Sequence, residues 1–143
     1  VDGWGNPIRY AITTYDNASY CPSPNHCFAL TNGLKNVWNG GVGIAPTPDL
    51  QVCSTSTGMT GSGISSACAS STLADKAVAV IFSRGKNGAS APTSADEIAN
   101  GDADRLFVSH TPTPAGANEF DDLVVWLSPN ILYNRMIAAG RLP

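Results

Sequence analysis

The stretch Asp2-Gly3-Trp4-Gly5-Asn6-Pro7-Ile8-Arg9-Tyr10 decides how the chain is read. Pro7 fixes its own φ and pushes Asn6 out of the helical region, while Gly3 and Gly5 permit backbone angles closed to other residues. Such a segment turns the backbone sharply. The alternation after it, with Ile8, Tyr10 and Ile12 on one face, makes residues 8–14 a strand. A domain seldom begins at a turn with nothing before it. The expectation is that an N-terminal element precedes Val1 and that the function depends on it.

Working outward, Leu34-Lys35-Asn36-Val37-Trp38 is a weakly helical patch, with Gly40-Gly41-Val42-Gly43 as a breaker after it. Leu50-Gln51-Val52-Cys53 reads as a short strand, and residues 54–71 as an exposed loop of low complexity. Residues 77–83 (AVAVIFS) form the most apolar strand, expected at the centre of a sheet because it has no polar face to give to water. Ser94-Ala95-Asp96-Glu97 has capping-box spacing and starts a short helix ending near Asn100-Gly101. Residues 104–110 and 122–127 read as further strands, expected to be antiparallel neighbours. Ser128 as N-cap, Pro129 at the first helical position and Gly140 as left-handed cap frame a C-terminal helix. Ile131, Leu132, Met136 and Ala139 are expected to face the core, and Trp4 and Trp126 to be largely structural. With no internal repeat and no linker, residues 1–143 make one α+β domain organised around an antiparallel sheet.

The 143 residues are 43% hydrophobic but only 13% charged, about half the charged share of ordinary soluble domains. A surface that is polar rather than ionic suits an extracytoplasmic or assembled protein. The net charge of −3, with the basic residues scattered, argues against sequence-independent nucleic-acid binding. The cysteines fall into two local pairs, Cys21 with Cys27 and Cys53 with Cys68, and neither has the Cys-x-x-Cys spacing of zinc or redox sites. Each pair flanks a segment that orders poorly alone, so both are expected to be disulfides, worth roughly 3 kcal/mol for a 15-residue loop. Disulfides imply an oxidising compartment. No signal peptide and no apolar run of transmembrane length is present, so the N-terminus of this chain is expected not to be that of the gene product.

Hydrolytic chemistry needs a nucleophile, a base and an orienting acid that converge. The two histidines, His26 between cysteines and His110 at a strand end, are accompanied by no Gly-x-Ser-x-Gly elbow and no His-Glu-x-x-His motif. Arg84-Gly85-Lys86-Asn87-Gly88 lacks the spacing of a phosphate loop. The expectation is that the protein is not an enzyme. Asp102, Asp104, Glu119, Asp121 and Asp122 crowd the second half. They have two readings: oxygen ligands for calcium, or turn-forming aspartates at strand ends.

With these pieces placed, the chain resembles the type IV pilin and type II secretion pseudopilin superfamily. The opening stretch looks like the Asp-x-Trp-Gly-Asn-Pro turn that follows the family's long N-terminal helix. Residues 80–88 (VIFSRGKNG) are similar to its strand and Ser-x-Gly-x-Asp-Gly turn, and residues 119–127 (EFDDLVVWL) to its acidic loop and final strand. The three blocks occur in family order and frame nearly the whole chain, while the helix of residues 128–143 is an elaboration beyond the core pattern. The resemblance implies a pilin-like head with long disulfide-braced loops and a C-terminal helix, made as a prepilin and cleaved by prepilin peptidase. It further implies anchoring in the inner membrane before assembly, a periplasmic or extracellular filament head, and other pilin or pseudopilin subunits as partners through the hydrophobic helix. Some major pseudopilins bind calcium before the last strand. The matching candidates here are Asp121 and Asp122, with Asn87 where Asp is usual and Asp102 or Asp104 contributing. The alternative reading is a secreted binding or adhesin module that stacks a glycan on Trp38, Tyr15 and Tyr20.

Overall fold

In the computed structural model, which describes residues 1–16, 19–40, 46–61, 66–102 and 104–142, the elements run as follows. In chain order they are β1 (Arg9–Ile12), α1 (Gly33–Gly40), β2 (Leu50–Cys53), β3 (Thr72–Ala77), β4 (Ala79–Ser83), α2 (Ala95–Ala99), β5 (Leu106–Val108), β6 (Leu123–Leu127) and α3 (Pro129–Ala138). The class is α+β, with two three-stranded sheets among the described residues. The first is antiparallel in the order β1-β4-β6. The second has the order β3-β2-β5, with β2 antiparallel to β3 and parallel to β5.

The apolar run at residues 77–83 is a corner as well as a strand. Val78, the one residue between β3 and β4, is where the backbone bends from the second sheet into the first, while Lys76 at φ 62° lies where the β2–β3 register shifts. Val78 spans the corner, accepting from the Thr13 N–H at 2.9 Å and donating to the Leu127 carbonyl at 2.8 Å. β4 is central in its sheet, as expected. β3, in contrast, lies hidden at the end of the low-complexity segment, where Thr72-Leu73-Ala74-Asp75 gives little strand signal. That segment is also less exposed than expected: Ser66 and Cys68 are buried, and Thr60 bridges Ala67.

The strands at residues 104–110 and 122–127 are not neighbours. β5 pairs with β2 in the second sheet, β6 with β4 in the first, and the loop between them crosses from one sheet to the other. All three β5 residues are buried, which is the burial of a covered parallel strand rather than of one side of a hairpin. The Gly41 to Gly43 part of the glycine breaker lies outside the described residues.

One cluster joins the sheets: Val80, Phe82 and Val124 of the first meet Leu50, Val52, Ala77 and Phe107 of the second. The Phe82 and Phe107 rings lie 5.6 Å apart. The Cys21–Cys27 and Cys53–Cys68 disulfides each centre a smaller cluster, the first around Val37 of α1 and the second around Leu106 of β5. Both pairings are those expected from the sequence.

The aromatic anchors differ from expectation. Trp4 is 52% exposed and Trp126 40%, because the first lies on a surface turn and the second lies on the edge strand β6. The most deeply buried aromatic among the described residues is Phe120, stacked on His110 at 3.9 Å. In α3 the Ser128 cap, Pro129 and the left-handed Gly140 are as expected. Leu132 and Met136 are half-buried, whereas Ile131 and Ala139 are exposed. Tyr133 anchors the helix instead, donating to the Pro46 carbonyl at 2.7 Å and packing on Trp38. Replacement of Phe120 by Ala should therefore cost ~3–5 kcal/mol, whereas Trp4→Ala and Trp126→Ala should each cost less than ~2 kcal/mol. Urea melts of the three variants check this ranking, and a tryptophan variant less stable than Phe120→Ala would contradict it.

Candidate functional site

Side chains alternate across a strand, so the register of the first sheet assigns each residue to a face. Ala11, Val80, Phe82 and Val124 fall on the inner face and meet the second sheet. Tyr10, Ile12, Ile81, Leu123 and Val125 fall on the other. All five are exposed, Tyr10 by 74% and Val125 by 61%, and Tyr10 and Val125 flank Ile81 from the two neighbouring strands. Ile8, just before β1, is exposed as well. A contiguous apolar sheet face of this kind marks an interaction surface rather than scattered surface hydrophobes.

The opening turn is bolted to the turn after β4. The Asp2 carboxylate accepts from the Trp4 and Asn6 N–H groups at 2.9 and 2.8 Å and from the Ser83 hydroxyl. Asn6 donates its amide to the Gly85 carbonyl at 2.7 Å. The Ser83 hydrogen bond, opposed by burial and aided by the backbone donors, holds Asp2 below the usual carboxylate range. The segment that aims β1 and the segment that ends β4 thus form one unit at one end of the exposed face.

Behind that unit lies an acidic cluster. Glu97, Asp121 and Asp122 bring carboxylate oxygens within 4.8 Å of one another. Glu97 is placed by α2, whose N-cap Ser94 accepts from the Glu97 N–H at 3.2 Å. Its carboxylate accepts from the side-chain amide of Asn87 and from the Asp121 N–H. The capping motif was legible, but its Glu is spent on this cluster, which is why Glu97 escapes a reading of local sequence. Asp122 accepts from Asn100 at 2.7 Å, and Asn100 is clamped to Val108 by bonds in both directions.

Of the four residues expected to hold a metal, Asp121 and Asp122 converge, Asn87 joins them as a hydrogen-bond donor, and Asp102 stands apart. Asp102 accepts from the Asp104 N–H and lines a separate cavity of about 420 Å³ between the sheets, with Arg9, Phe82 and Phe107. Adjacency in sequence to the cluster loops does not carry Asp102 to it, because Asn100 is turned inward and the chain leaves outward at Gly101. Calcium takes six to eight oxygens. Both Glu97 oxygens, Asp121 Oδ2 and Asp122 Oδ2 already accept from N–H donors, and as folded the cluster does not fit that ion.

Burial first, then the Glu97 and Asp121 charges against the Asn100 hydrogen bond and Arg84, pushes the Asp122 carboxyl up to about 6. His26 pairs with Asp16 at 2.8 Å. His110 lies between the Thr111 carbonyl and Asp96, at 2.8 and 3.1 Å. The aromatics considered for glycan stacking are engaged in packing: Tyr15 meets Phe28 edge-on, Trp38 meets Tyr133, and Tyr20 donates to the Gly40 carbonyl. Among the described residues no helix is long and apolar enough to cross a membrane. Compared with protein-family models, curated proteins and solved structures, the chain finds no match in any of the three.

Asp122 makes a signed prediction. Its ordinary value is 3.8, so a folded value near 6 means that the native state holds the proton more tightly. The stability it contributes is present below pH 3.8 and is lost as pH rises through about 6. Asp2, Asp49 and Asp96, all held low, act in the opposite sense, losing stability as pH falls. The difference between Asp122→Asn and the parent isolates the effect: urea melts should show the variant gaining on the parent from pH 4 to pH 7. Parallel curves would contradict it.

Proposed function

We propose that the chain is the non-enzymatic globular head of a filament subunit of the pilin or pseudopilin type. In this reading it works in a type IV pilus or type II secretion filament. The observation that carries the proposal is the uncovered apolar face of Tyr10, Ile12, Ile81, Leu123 and Val125. A helix lying across β1, β4 and β6 is the element that such a twisted three-stranded face accepts. Each large aliphatic side chain fully covered there adds about 1.5–3 kcal/mol. The covering element is proposed to be an apolar helix joined ahead of Val1, which would place its entry at the Asp2–Asn6 turn beside that face.

The two disulfides fit the periplasmic or extracellular location of such a head. The partners would be further copies of pilin-like subunits, with the inner membrane holding the helix before assembly. The glycan-binding alternative has no observation in its favour, since its aromatics are spent on packing.

Two tests follow from the face. The gene upstream of Val1 should encode about 20 consecutive apolar residues; a polar or absent upstream segment would contradict the reading. Ile81→Lys and Val125→Lys should change the unfolding free energy of the 143-residue chain by less than ~1 kcal/mol while abolishing filament assembly by the whole protein. Normal filaments from both variants would refute it.

A further inference from the structure

We infer that Asn87 is the residue that decides whether the Glu97–Asp121–Asp122 cluster takes a divalent cation, its side-chain amide filling the place where the ion would sit. The three carboxylates supply what a hard cation wants, oxygen atoms gathered within 4.8 Å. The Asn87 amide nitrogen lies 3.1 and 3.2 Å from the two oxygens of Glu97. A carbonyl oxygen there would face two carboxylate oxygens at contact distance, so chemistry alone assigns the NH2 to that position. The same residue donates its backbone N–H to Asp121 at 3.1 Å. Asn87 therefore satisfies two of the three carboxylates at once, as a bridging cation would.

The surrounding donors complete the substitution. The Asp121 N–H closes on Glu97 at 3.3 Å, and Asn100 closes on Asp122 at 2.7 Å. Arg84 contributes positive charge toward Asp122. Asp121 Oδ1 is buried without a partner. It lies against Gly85, whose lack of a side chain makes room for it, since a Cβ there would come within 2.3 Å. With both Glu97 oxygens, Asp121 Oδ2 and Asp122 Oδ2 already accepting from N–H donors, too few oxygens stay free for the six to eight that calcium takes.

The corollary concerns one atom. In Asn87→Asp the donor NH2 becomes an acceptor oxygen and a fourth carboxylate joins the group. Glu97 loses its bridge, and at pH 7 and above a cation among the four relieves the repulsion. The cluster then becomes a site for a divalent ion with oxygen preference, calcium being the probe.

Thermal melts of the parent chain, Asn87→Asp and Asn87→Ala in EDTA and in graded calcium test this. The parent should melt at the same temperature throughout. Asn87→Asp should melt lower than the parent in EDTA and rise with each tenfold of calcium once the site saturates. Asn87→Ala should melt low and stay there. A calcium-dependent rise in the parent would overturn the inference, and so would an Asn87→Asp chain that calcium does not stabilise. The parent also supplies a test free of any variant: the Asn87 side-chain NH2 protons should exchange slowly and keep their NMR shifts on calcium addition. Fast exchange, or shifts that follow calcium, would overturn it equally.

Discussion

The constraint behind the whole molecule is that its first sheet carries apolar side chains on both faces while the described residues cover only one. Val80, Phe82 and Val124 find Leu50, Val52, Ala77 and Phe107 across the core. Tyr10, Ile81 and Val125 find nothing among the described residues. A three-stranded sheet has too little area to tolerate this as incidental exposure, since such small sheets draw their stability from the faces they bury. The charge pattern agrees: β4 carries no charged side chain on either face, so neither face is built for water.

The corner at Val78 makes this arrangement. By turning one apolar run out of the second sheet and into the first, it sets β4 between β1 and β6 and leaves β3 on the far layer. The chain then returns through the Ser83–Gly88 turn, which receives the opening turn on one side and the acidic cluster on the other. Asn6 holds Gly85 there and Asn87 holds Glu97 and Asp121. One short turn thus fixes the entry to β1, the N-terminal half of β6 and the placement of α2. The Cys53–Cys68 bridge does the equivalent for the second sheet, tying β2 to the segment that leads into β3.

Features governed by local chemistry were legible in the sequence, and those governed by the path between layers were not. Ser94 and Ser128 cap their helices, Gly140 takes the left-handed conformation, and each cysteine pairs with its nearest neighbour, because each of these depends on a few adjacent atoms. The pairing of β5 with β2 depends on where a Pro- and Gly-rich loop crosses the core, and nothing in residues 106–108 encodes it. Glu97 joined the cluster unnoticed because its helical role was sufficient to explain it. Trp4 and Trp126 are more exposed than expected because a surface turn and an edge strand leave even tryptophan in solvent. The alternation of Ile8, Tyr10 and Ile12 was correct as a face but pointed away from the core of these 143 residues.

The central claim is that the outer face of β1-β4-β6 is covered when the domain stands in its whole protein. Methyl NMR with a soluble paramagnetic probe measures this directly, reading Ile81 and Val125 in the 143-residue chain and in a longer protein that carries the proposed upstream helix. The account predicts strong probe-induced relaxation at both residues in the isolated chain and its loss in the longer protein, with exposed Ile137 of α3 relaxed alike in both. Equal relaxation of Ile81 and Val125 in the two proteins would contradict it.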